Sequence, residues 1–60
     1  MKYTLKEILN ACIYACDEEA YLGENGEIFD SPEENDAYAE KLRLAIDYLE
    51  ELKKEAKDEV

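Results

Sequence analysis

The chain contains no histidine, no tryptophan, one proline and two glycines in sixty residues, and seven basic residues against seventeen acidic ones. Each shortage excludes something. Without histidine the chain lacks the usual general base near neutral pH and the commonest metal ligand. Its two cysteines, Cys12 and Cys16, do not form a Cys-x-x-Cys redox motif. A regular helix would also hold that i, i+4 pair outside disulfide geometry. There is no glycine-rich phosphate loop, and Ser31 is the only serine, so no nucleophile–base constellation can be assembled. No apolar run approaches the roughly 18 residues of a membrane span, and the Met1-Lys2-Tyr3-Thr4 start does not read as a signal peptide. The formal net charge of −10 sets the chain against nucleic acid and anionic membranes. What remains is a cytoplasmic, non-enzymatic protein without cofactor or metal, whose partners are proteins.

Residues 1–60 make one domain at most, and so short a chain removes only about 60% of its unfolded surface from water. It is nevertheless a folding sequence. Although 40% of residues are charged, 47% are apolar, including five tyrosines and one phenylalanine, and the apolar positions are periodic. Fraying is expected only at residues 57–60.

The pattern predicts an all-α helical hairpin with antiparallel helices at about 4–22 and 32–56. Thr4 and Glu7 make a capping box. Leu5, Leu9, Cys12 and Cys16 follow in steps of 4, 3 and 4, flanked by Ile8, Ile13, Ala15 and Ala20. Gly23 is the expected left-handed stop. The second helix starts at Ser31-Pro32-Glu33-Glu34, with serine as N-cap, proline at the first position and Glu34 closing a second box. Tyr38, Leu42, Ala45, Leu49, Leu52 and Ala56 then form a heptad seam, with Glu50 and Lys54 as an i, i+4 pair on the outer face. Asn25-Gly26 favours a tight turn of positive φ. Ile28 and Phe29 are expected to fold back over the open end of the helix pair.

With Leu44 and Tyr48 included, the apolar arc of the second helix exceeds the stripe, somewhat over ~100° wide, that packing on one neighbour requires. A two-fold dimer forming a four-helix bundle would cover the excess, with Leu42, Leu44, Ala45, Tyr48, Leu49 and Leu52 at the interface. Cys12 and Cys16, on the seam, are expected to be small buried apolar residues, which explains them without a metal.

Between Lys6 and Lys41 there is no base, and that interval holds eleven acids. Glu33, Glu34 and Asp36 suit the start of the second helix, where the dipole stabilises carboxylates. Asp17, Glu18 and Glu19 stand in the last turns of the first helix, against its dipole, and a cluster of broken local rules often marks a working surface. The partner-binding surface is therefore expected at Asp17, Glu18, Glu19, Tyr21, Glu24, Glu27 and Asp30, with Tyr14 and Tyr38 as further aromatic anchors. A calcium loop fails here: aligning Gly26 with the invariant glycine of an EF-hand places Tyr21, Gly23 and Pro32 at its strongest ligand positions.

In size, acidity and helical pattern the whole chain resembles small phage-encoded inhibitors of host proteins, including anti-CRISPR and other anti-defence proteins, some of them DNA mimics. The resemblance is one of composition and carries no shared motif. It implies stoichiometric blockade of a basic, nucleic-acid-binding surface inside a bacterial host. The alternative is a structural or regulatory dimerisation module that grips a partner through Leu44 and Tyr48, its acids serving solubility.

Overall fold

Thr4 opens the first helix through two reciprocal hydrogen bonds. Its Oγ1 accepts from the Glu7 N–H at 3.1 Å, and its own N–H donates to Glu7 Oε1 at 2.9 Å. Those bonds hold the Glu7 carboxyl below the usual carboxylate range. In the computed structural model, which describes residues 2–56, this capping box starts α1 (Leu5–Glu24), and Ser31 starts α2 (Pro32–Glu55). The two helices run antiparallel, and no strand occurs among the described residues. The expected fraying at 57–60 lies outside the described residues.

Ser31 caps α2 by one bond, accepting from the Glu34 N–H at 3.4 Å, with proline at the start of the helix. The reciprocal bond from Glu34 expected of a full box is not formed. Glu50 pairs with Lys53, at i+3 and 3.5 Å, rather than with Lys54. Lys53 also donates to Asn10 of α1 at 3.2 Å, and this second partner draws it toward the helix pair.

α1 ends later than expected. Gly23 is helical and buried, and the left-handed residue is Gly26, with φ of 71°. The Gly26 N–H bonds the Gly23 carbonyl and the Glu27 N–H the Leu22 carbonyl, each at 3.0 Å, which is a Schellman termination. Asn25 adds a side-chain bond to the Tyr21 carbonyl at 2.7 Å. Gly26→Ala is expected to cost about 1 kcal/mol, because a Cβ disfavours left-handed backbone; urea unfolding followed by circular dichroism measures it.

The seam on α1 is also rotated from the expected one. Leu9 and Ala20 are buried and Ile13 and Cys16 half-buried, followed by buried Gly23, in steps of 4, 3, 4 and 3. Leu5 is 51% exposed and Cys12 is exposed. The reading of both cysteines as buried core residues is therefore corrected: Cys12 faces solvent and Cys16 is half-buried. The apolar arc of α1 is wider than the contact. Ala20 and Gly23, spaced three apart, let α2 approach closely at this end of the arc, because helices come nearest where side chains are small or absent. Ala11 and Ala15, as small as Ala20, remain exposed. A Cβ at Gly23 would lie 3.3 Å from both the Ala39 Cβ and the Asn35 carbonyl oxygen.

On α2, Ala39 is buried while Leu42, Ala45, Leu49 and Leu52 are only half-buried, and Leu44 and Tyr48 are 62% and 66% exposed. No large side chain among the described residues is fully buried. The Cα extents of 45 × 19 × 12 Å describe a single layer of two helices.

Candidate functional site at the acidic end

The loop between the helices is pinned by one side chain. Asn35, 3% exposed in the first turns of α2, accepts the Phe29 N–H through Oδ1 and donates through Nδ2 to the Phe29 carbonyl, both at 2.8 Å. This pairs with Phe29 as a neighbouring strand would. No buried side-chain polar atom among the described residues lacks a partner. The Phe29 ring meets Tyr38 edge-on, with centroids 5.4 Å apart and planes at 89°, an arrangement favoured by ring quadrupoles. Ile28 is half-buried beside it in sequence, so the loop does fold back on the helix pair.

The expected partner-binding acids divide into two groups. Arg43, the sole arginine of the chain, reaches across from α2. Its Nε and Nη2 donate to the two carboxylate oxygens of Glu24 at 2.9 and 2.8 Å, and its Nη1 donates to Asp17. The bidentate bond lowers the Glu24 carboxyl below its ordinary value, and the two carboxylates hold the guanidinium still more firmly in its charged form. Glu19 accepts the Tyr38 hydroxyl at 3.0 Å, which raises the phenol above its ordinary value. Asp17, Glu19 and Glu24 therefore have partners within the hairpin.

The dipole argument for Asp17, Glu18 and Glu19 also changes. Because α1 continues to Glu24, these residues sit more than a turn from its end, where the dipole effect has faded. Glu24 itself stands in the last turn, and Arg43 compensates it. The spacing of Asp17 and Glu24, seven residues, puts both on one face of α1. That spacing, together with a lone arginine after a long base-free interval, was the available signal for the clamp. Asn35 is legible too, as a polar residue three places before the seam residue Tyr38 and four before the apolar Ala39.

Glu18, Glu27 and Asp30 form the second group, joined at this end of the hairpin by Glu33, Glu34, Asp36 and Glu40 of α2. All are exposed. Tyr14 and Tyr21, 74% and 59% exposed, line one depression of α1 with Asp17, Glu18 and Arg43. Tyr38 lies elsewhere, engaged with Phe29 and Glu19. A longer groove lined by Tyr3, Ile8, Ala11, Cys12, Tyr14 and Ala15 runs along α1. Among the described residues no group of three or more side chains is placed to hold a metal ion, and no helix is long and apolar enough to cross a membrane. No protein-family model matches the chain, and no curated protein or solved structure is significantly similar to it.

Proposed function

We propose that this chain is a small acidic interaction module that acts stoichiometrically, not as an enzyme, by occupying a basic, nucleic-acid-binding surface of a host or defence protein. The observation that carries the reading is the pinned acidic end. Glu18, Glu27, Asp30, Glu33, Glu34, Asp36 and Glu40 are exposed there, beside the Schellman turn and the Asn35 clamp. A rigid array loses little ordering entropy on binding, and carboxylates so displayed present to a partner the charge that phosphates do. Tyr21 and Tyr14 flank Glu18 and supply the apolar anchors that acidic groups lack. Asp17, Glu19 and Glu24 serve the same surface indirectly, by fixing the helices that carry it. The working unit in this reading is a pair of hairpins in a four-helix bundle, supported by the wide apolar arc of α2.

Capture from a bacterial lysate tests the proposal. Bound proteins should be released as salt rises to about 1 M, where the Debye length falls to ~3 Å. Duplex DNA should compete with their capture. Lysine at Glu18, Glu27 and Asp30 together should abolish binding while leaving helical content unchanged. Capture that ignores salt and DNA but is lost on Leu44→Glu would overturn the acidic reading in favour of the apolar-face module.

A further inference from the structure

We infer that a second copy of this chain stacks on the apolar broad face of the hairpin, with the two loops at opposite ends. Polar contacts mark the two broad faces. On one, Arg43 meets Asp17 and Glu24, and Lys53 meets Asn10; on the other, Tyr38 meets Glu19. Carrying the helical register from these anchors at about 100° per residue places Asp36, Glu40, Asp47, Glu50 and Lys54 on the first face. The same register places Ile8, Cys12 and Ala15 of α1, with Ala45, Leu49 and Leu52 of α2, on the second. All six are exposed or half-buried.

The missing cover is a layer rather than a side chain. Stable domains bury a core between two layers of secondary structure, whereas this hairpin is 12 Å thick in Cα extent and fully buries no large side chain among its described residues. Its Cα extents of 45 × 19 Å leave room for the roughly 800 Å² per partner of a stable protein interface. Charge segregation permits self-association despite a net −10: most acids lie on the opposite face, at the outer edges or toward the loop end, and Glu19, the acid on the stacking face, accepts the Tyr38 hydroxyl. A two-fold axis in the interface plane, perpendicular to the helices, sets α1 antiparallel on α1 of the second copy. The acidic loops then stand at opposite ends of a 45 Å layer, several times the ~10 Å screening length. The opposite choice, with loops together, would juxtapose both acidic ends. Cys12 lies near the middle of α1 and so comes close to Cys12 of the second copy, at a spacing near the ~8–10 Å between packed helix axes.

The inference deepens the bundle reading by fixing its face and direction, and it does not depend on what the acidic end binds. Sedimentation equilibrium at tens of micromolar should give twice the 7.0 kDa of the chain. In Cys16→Ala protein, a bismaleimide with a reach of about 10 Å, the packed-helix spacing, should link Cys12 to Cys12 as a dimer on a denaturing gel. Ala15→Glu should abolish the dimer and Leu44→Glu, on the outer edge, should not. A dimer that resists the Cys12 link, or that yields to Leu44→Glu and not Ala15→Glu, overturns the proposed face while leaving a bundle. A 7.0 kDa mass for the unaltered chain overturns the bundle as well. Neither the mass nor the link requires a variant on the apolar face to fold.

Discussion

Asn35→Ala is expected to release the loop and to destabilise the hairpin by about 2 to 3 kcal/mol. Two hydrogen bonds to Phe29 are lost, each worth about 1 to 1.5 kcal/mol when its partner is left without a replacement. The lower end of the unsatisfied-group range applies because Phe29 is 40% exposed and water can reach its backbone. A chain of this size rarely has more than ~3–5 kcal/mol from its own core, so the loss is a large share of the total. Denaturant unfolding measures it, and amide exchange at Phe29 shows whether the loop has opened. Asn35→Asp sharpens the test. The new carboxylate keeps an acceptor for the Phe29 N–H but aims a second oxygen at the Phe29 carbonyl, in a site where the native side chain is 3% exposed. Burial and that carbonyl raise the carboxyl above the ~3.9 of an unfolded aspartate. Stability is then fully present below the unfolded value and lost as pH rises through the raised one. The variant should therefore be weak at pH 7 and recover on acidification. Equal stability at both pH values would show that Asn35 does not hold the loop.

Gly23→Leu is expected to cost about 3 kcal/mol, the upper part of the range for overfilling a packed site. A Cβ alone would stand 3.3 Å from the Ala39 Cβ and from the Asn35 carbonyl oxygen. The first contact is side chain and the second is backbone. Neither can retreat without moving the part of α2 that carries the Asn35 clamp. Gly23→Ala sets two effects against each other, since alanine favours helix over glycine by about 1 kcal/mol while the contact opposes it. The alanine variant should therefore be near neutral and the leucine variant strongly destabilised, as thermal melting followed by circular dichroism would show. A leucine variant that melts with the unaltered chain would mean that the helices do not meet closely at this point.

These two residues show what the sequence could and could not carry. Thr4, Glu7, Ser31 and Pro32 announced the starts of both helices, because a cap is a local arrangement of three or four residues. The 3.6-residue recurrence of apolar side chains announced the helices themselves, and Asn25-Gly26 announced positive φ in the turn. The stop of α1 lies three residues beyond the expected one, at Gly26 rather than Gly23. Either glycine suits a left-handed residue, and only the close approach of Ala39 gives Gly23 a different task. Cys12 fits the seam by periodicity yet faces solvent, for a related reason. The arc of α1 offers more apolar positions than one neighbour can cover, and periodicity does not say which strip the neighbour takes.

The candidate site divides in the same way. The base-free interval of residues 7–40 and its acids are properties of the sequence, as is their concentration at one end of any antiparallel hairpin. Which carboxylates remain available is a property of the packed helices. Arg43 lies 26 residues from Asp17 and 19 from Glu24, and Tyr38 lies 19 from Glu19, distances over which local pattern has no reach. Antiparallel packing closes those separations and gives three acids, still exposed, partners within the hairpin. The sequence by itself determined two capped amphipathic helices, a turn and an acidic end, because each depends on neighbours within about two helical turns. The tertiary structure alone decided the strip of α1 that is buried, the loop clamp of Asn35 and the acids that pair within the hairpin, because each depends on how closely two helices can approach at Ala20, Gly23 and Ala39.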